Sequence, residues 1–289
     1  MSNLDRNTLY DIHQKNIHLL EMEMEITKKT TQNKLGQYLF FKKNHDISSG
    51  NSSVNGKLKR YDEEILGCTR LYTFLLCSWL ESRLHKILYE ASSVAFTDSE
   101  RLIVRRLTHH KDIEIEKQWK ICFNLALCKS FGIAYSNDIN KLATKSPDLF
   151  TSCPSALRVY DKVFDYLELI KGAVSVRNRL AHGQWEIQLN SSSTNYASVD
   201  IKNFLNRYSN IMELDLLFNM FKEISDIISS YVTYKDKHSN RQADFDKKID
   251  DCIDKIETIN SQLNNKKFDK YCKIFLRKYT QQQKIWKNN

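Results

Sequence analysis

Within six residues, Arg177 to His182, the chain gathers a guanidinium, a carboxamide and an imidazole: Val176-Arg177-Asn178-Arg179-Leu180-Ala181-His182-Gly183-Gln184-Trp185. The stretch lies on a helical pattern, and Gly183 is a natural C-terminal stop because glycine enters the left-handed region freely. On a helix, Asn178 and His182 stand four residues apart and share a face. Arg177 lies about 140° round the helix from His182, at ~100° per residue, so its side chain must curl back to join them. Such a trio suits a phosphodiester: a fixed cation for the phosphate, a group that titrates near neutral pH, and an amide to orient them. The plainer role for His182 is a helix C-terminal histidine favoured by the helix dipole.

The sequence contains no carboxylate cluster, zinc-ligand spacing, phosphate-binding glycine loop or GxSxG. No cofactor is therefore expected, and a nucleic-acid enzyme built on these residues works without a metal. RNA then fits better than DNA, because its 2′-OH can attack the adjacent phosphorus and leave a 2′,3′-cyclic phosphate and a 5′-OH. That route asks for a base on the 2′-OH, an acid on the leaving oxygen and positive charge on the non-bridging oxygens. One motif supplies one histidine and is one group short. A two-fold dimer brings two histidines and two arginines to one cleft.

The setting Arg177-Asn178-x-Leu180-Ala181-His182-Gly183 resembles the signature of the HEPN superfamily, the higher eukaryotes and prokaryotes nucleotide-binding domains. The resemblance covers Leu58 to about Val232. Members are helical-bundle domains, and many are metal-independent ribonucleases of toxin and antiphage systems with a site shared between two subunits. The resemblance implies a toxin- or antiphage-type endoribonuclease that cuts tRNA or other cellular RNA as a homodimer, with a cognate antitoxin or sensor protein as a further partner. In those terms His182 does the acid/base work, Arg177 holds the phosphate, and Asn178 orients the phosphate or the imidazole. Arg179 points elsewhere and serves as a substrate-backbone or structural cation. Two alternatives stay open: a non-catalytic HEPN module that binds nucleotide or RNA, and a helical assembly protein in which the motif only packs.

Composition agrees with a helical scaffold. Seven Gly and two Pro in 289 residues fall far below the usual ~7% and ~5%, and the chain is rich in helix-forming side chains. The hydrophobic share of 41% supports a core, and the net charge of +9 favours an anionic partner. Seven cysteines without a CxxC pair read as small buried hydrophobes in a reducing compartment. The polar start MSNLDRNTLY is unlike a signal peptide. The longest apolar run, Tyr72 to Leu80, is too short for a bilayer. A soluble cytoplasmic protein is expected, with no membrane partner.

The elements that must position the motif are helices, so the fold expected is an all-α, HEPN-like bundle with long helical appendages. Residues 1–43 form an N-terminal arm, 44–56 a linker, 57–235 the HEPN-like domain and 236–289 a C-terminal coiled-coil segment with a basic tail. In the arm, Tyr10, His13, Ile17, Leu20 and Met24 make a narrow stripe that ends in Thr27 and Thr31 near the expected helix end. His13 and His18 are read as surface groups. The linker Asn44 to Gly56 is rich in Ser, Asn and Gly. Leu58 to Ala91 reads as one apolar helix, with a break at Gly67 as the alternative. Its stripe of Phe74, Cys77, Leu84 and Leu88 contains Glu81, a carboxylate that needs a partner. His85 and Lys86 are the local choices, and Arg177 is the one that would fix the motif.

Thr97-Asp98-Ser99-Glu100 starts a helix to about His110. Another follows from about Ile113 to Phe131, with Trp119, Cys122, Leu125 and Leu127 in the core. The pair His109-His110 is read as surface. A short helix is expected near Asp138 to Thr144, and Pro154 opens a longer one. Its stripe is Leu157, Tyr160, Phe164, Leu167 and Ile170, and Gly172 bends the chain before the motif. Beyond Gly183 the period changes to two, which predicts a β-hairpin or a plain loop over Trp185 to Val199. Asp200 to Tyr231 closes the bundle with Leu214, Leu217, Phe221, Ile224, Ile228 and Tyr231.

Phe245, Ile249, Cys252, Ile256, Ile259 and Leu263 form a heptad seam, to pair with the arm or with a second copy. From Lys266 onward eight Lys or Arg face one Asp. Lys266, Lys267, Lys270, Lys273, Arg277 and Lys278, interleaved with Phe268, Tyr271, Phe275, Tyr279 and Trp286, suit single-stranded nucleic acid. The alternative is a solvated amphipathic helix whose aromatics pack on the coiled coil.

Overall fold

The computed structural model describes residues 4–45, 52–92, 94–106, 115–135, 138–184, 210–237, 242–265 and 268–288. It is all-helical, and no strand occurs among the described residues. The hairpin expected after Gly183, the His109-His110 pair and Lys266 and Lys267 lie outside them.

Two long helices, α1 (Arg6–Asn44) and α2 (Ser52–Leu88), run antiparallel along each other. Contacts at Lys34–Glu64 (2.7 Å), Glu21–Trp79 (3.1 Å) and His13–His85 (ring centroids 5.2 Å) set their register. α1 begins at Asp5, whose carboxylate accepts from the Thr8 amide at 2.9 Å. It runs past the expected end near Thr31. Thr31 satisfies its hydroxyl by donating to the Thr27 carbonyl at 2.7 Å, so two buried threonines continue the stripe to Leu35 and Gly36. α2 passes Gly67 without a break. It takes in Ser52 to Gly56, so the helix begins inside the stretch read as a linker.

The core forms where α2 meets α4 (Ile115–Phe131) and α8 (Ile211–Lys237). Trp79, Leu80, Leu84, Trp119, Cys122, Leu125, Leu127 and the whole α8 stripe from Leu214 to Tyr231 are buried. Each such large apolar side chain contributes about 1.5–3 kcal/mol. α3 (Asp98–Arg106) starts with a reciprocal cap: the Thr97 amide donates to the Glu100 carboxylate at 2.6 Å, and the Glu100 amide donates to the Thr97 hydroxyl at 3.3 Å. α5 (Ile139–Ala143) is capped by Asp138. α6 (Pro154–Val163) has Pro at its first turn and continues as a 3-10 stretch, Phe164–Ile170, before α7 (Ala173–Ala181).

The C-terminal segments join this core. In α9 (Gln242–Asn264) the seam residues Phe245, Ile249, Cys252 and Ile256 are buried. They pack against α8 within the same chain, so pairing with the arm or with a second copy is not where this seam is used. Lys162–Glu257 (2.5 Å) and Lys255–Glu223 (3.2 Å) tie α9 to α6 and α8. α10 (Phe268–Asn288) lies on α1, where Tyr271 accepts from Gln32 at 2.9 Å and Tyr279 packs edge-on against Phe40. Gly36 lets the two helices approach: a Cβ there would stand 3.0 Å from the Tyr279 Cβ. No described helix is long and apolar enough to cross a membrane.

Candidate functional site

The motif helix is short because glycine bounds it at both ends. Gly172, at φ 86°, turns the chain out of the 3-10 stretch, and Gly183, at φ 78°, stops the helix. The stop is a complete Schellman arrangement. The Gly183 amide donates to the Leu180 carbonyl at 3.1 Å, and the Gln184 amide reaches back to Arg179 at 3.0 Å. Between the glycines, Ala173, Val176 and Leu180 are buried, which seats α7 on α2 and leaves Arg177, Asn178 and Arg179 half-buried.

Arg177 curls toward α2. Its guanidinium forms an ion pair with Glu81 through Nη1, while Nε and Nη2 donate to the Asn178 side-chain carbonyl at 3.1 and 2.8 Å. The carboxylate inside the α2 stripe thus has Arg177 as its partner rather than His85 or Lys86. A charge-assisted contact of this kind holds a guanidinium plane in a fixed pose. Beneath it, Cys77 is fully buried, and burial pushes its thiol up to about 12, so it is a packing group rather than a nucleophile.

His182 caps α7 and is exposed, with its backbone amide turned to the Asn178 and Arg179 carbonyls at 3.1 Å. Among the described residues no hydrogen bond joins its ring to Arg177 or Asn178. The site therefore assembles Arg177, Asn178 and Glu81 into one unit and places the imidazole beside that unit at the helix end. Arg179 is half-buried, and its Nε has no hydrogen-bond partner among the described residues. No three His, Cys, Asp or Glu side chains converge as metal ligands among the described residues.

Sequence reasoning missed Arg70. It lies on the face of α2 that carries Phe74, Cys77 and Glu81, about 16 Å before Glu81 along the helix at 1.5 Å per residue. Its Nε and Nη1 lack hydrogen-bond partners among the described residues, and burial lowers its pKa. A cation eleven residues ahead of Glu81 on the same face could have been found by extending the stripe one more step. In the tail, Tyr271 and Tyr279 are engaged on α1, while Lys270, Lys273, Arg277 and Lys278 face solvent. Compared with known proteins, the chain matches no family model, no curated protein and no solved structure.

Proposed function

We propose that the protein is a metal-independent endoribonuclease of the HEPN type, with a site completed by a second copy of the chain. The observation that carries the reading is the immobilised Arg177, held by Glu81 and Asn178 beside an exposed imidazole at the end of the same helix. A guanidinium fixed before substrate arrives loses little freedom on binding a phosphate, and its donors favour charge as it develops on the non-bridging oxygens. One His182 takes the proton from the 2′-OH. The 2′ oxygen bonds to phosphorus, the bond to the 5′ oxygen breaks, and the partner subunit's His182 protonates that oxygen. Each imidazole needs a different protonation state at the start of the step, so the two roles fall to two histidines.

The exposed basic face of α10 supports capture of a polyanion through its backbone phosphates. A second reading is a non-catalytic RNA- or nucleotide-binding module. It is favoured by the full pairing of Arg177 and by an imidazole with no orienting hydrogen bond among the described residues. RNA cleavage by purified protein in EDTA separates the two. Wild type should cut and His182→Ala should not, whereas RNA binding without cleavage by wild type would favour the binding module.

A further inference from the structure

The outer face of α1 carries an apolar seam that stays open to solvent. Ile12, Leu19, Met22 and Ile26 are 39%, 53%, 45% and 51% exposed, and none of them joins the hydrophobic core. Their spacings of 7, 3 and 4 residues fall on one heptad, whose remaining positions, after Ile12 and after Ile26, hold Lys15 and Lys29. At ~100° per residue the seam lies roughly 140° round the helix from the buried stripe of Ile17, Met24, Thr27 and Thr31. That stripe packs on α2, so the seam points away from α2 and from the α7 site seated there. A helix with one buried stripe ordinarily shows polar groups on its far side. A row of large apolar side chains about 21 Å long in that place marks a docking surface.

The lysines decide which partner fits. Parallel pairing with a second α1 would set Lys15 against Lys15 and Lys29 against Lys29 inside the seam, a repulsion between like charges. An antiparallel pair about a two-fold axis between Leu19 and Met22 removes both clashes. Leu19 then meets the partner's Met22, Ile26 meets the methylene stem of the partner's Lys15, and Ile12 meets that of the partner's Lys29. The Lys15 ammonium comes within reach of the partner's Glu23, which flanks the seam. Lys15 and Glu23 are exposed, and neither makes an ion pair among the described residues, whereas Glu25 and Lys29 pair at 3.4 Å along their own helix. The apolar and the charged positions thus both complement a second copy of the same stretch, as a two-fold contact requires.

We propose that the protein self-associates through antiparallel pairing of α1 with α1 of a second copy, a contact separate from the α7 site and independent of RNA cleavage. Sedimentation velocity of the full-length protein, from low micromolar concentration to about 100 µM, tests it. Wild type should associate reversibly in that range. Leu19→Asp and, independently, Met22→Asp should each weaken association about tenfold or more, because each would bury a carboxylate at the axis. Both side chains are at the surface, so the variants keep the fold, which thermal unfolding checks. Ile285→Asp, at a similarly exposed apolar residue of α10 (59%), should leave association unchanged. Lys15→Glu and Glu23→Lys should each weaken it, and the double variant should recover it. Wild type that stays monomeric at about 100 µM, or Leu19 and Met22 variants that associate like wild type, would overturn the proposal. An equal loss in the Ile285 variant would overturn the placement on α1, and no recovery in the double variant would overturn the antiparallel direction.

Discussion

Two regions of this molecule bring arginine and histidine together, and they do so in different ways. At the α7 site the cation is compensated before any substrate arrives, since Arg177 has Glu81 and Asn178, and its histidine is exposed. Where the start of α1 meets the end of α2 and α3, Arg6 and Arg101 are spent on backbone carbonyls and Asp98, and His13 and His85 pack on each other and on Tyr89. A paired guanidinium beside an open imidazole suits the proton transfer proposed for a bound phosphate, whereas packed rings suit structure. Histidine exposure therefore distinguishes the two regions.

The largest expected effect follows from that division. His182→Ala should reduce RNA cleavage by roughly 10²–10⁴-fold, the worth of a positioned acid/base group, while thermal unfolding stays unchanged. An unchanged cleavage rate would remove the imidazole from the chemistry. Glu81→Gln should come next, at about tenfold lower cleavage with a smaller change in RNA affinity, because it loosens Arg177 without removing it. Rate constants at saturating RNA check this, and an unchanged value would mean that the ion pair only packs. Co-expressed His182→Ala and Arg177→Ala chains should recover activity in mixed dimers if the site is shared.

The packed pair His13 and His85 predicts a pH effect on stability. Burial, aided by His13 and Arg105, holds His85 at about 4 in the folded state, against ~6.5 unfolded. The unfolded chain therefore takes up the proton first as pH falls. The stabilisation is complete above about pH 6.5 and is lost progressively toward pH 4, up to about 3 kcal/mol. Urea unfolding between pH 7 and 4.5 measures it, a window above the range in which most carboxylates titrate. His85→Phe should flatten the slope, and an equal slope in the variant would assign the effect elsewhere. The smallest effect belongs to α10. Replacing Lys273, Arg277 and Lys278 with alanine should weaken RNA binding uniformly and reduce the salt slope by about 2, at ~0.7 per phosphate contact.

How much of this was legible in the sequence depended on distance along the chain. Helix periodicity and two glycines were enough to expect α7, but not that Arg177 would turn to Asn178 and Glu81 with no hydrogen bond to the His182 ring among the described residues. Glu81 was visible as a charge on an apolar stripe in need of a partner, with His85, Lys86 and Arg177 as candidates, and the fold decides for Arg177. The meeting of α1 with the end of α2 is different, since no local spacing joins Arg6 to the Tyr89 and Glu90 carbonyls it caps. His13 looked like a surface residue because its stripe is narrow, yet it packs 5.2 Å from His85 and stacks on Tyr89 at 5.8 Å. The heptad seam of α9 was correct as an apolar face but could not name its partner. A seam that docks on α8 and one that pairs with a second copy have the same period.

Everything claimed for the α7 site rests on an RNA that supplies its own nucleophile. The decisive measurement is the end chemistry of a short RNA cut by purified protein in EDTA, beside the same strand carrying one 2′-deoxy nucleotide at the cut site. The account predicts a 2′,3′-cyclic phosphate and a 5′-OH from the first strand and no cut at that position in the second. Cleavage of the deoxy strand at an undiminished rate, or 5′-phosphate ends that need added Mg²⁺, would contradict it.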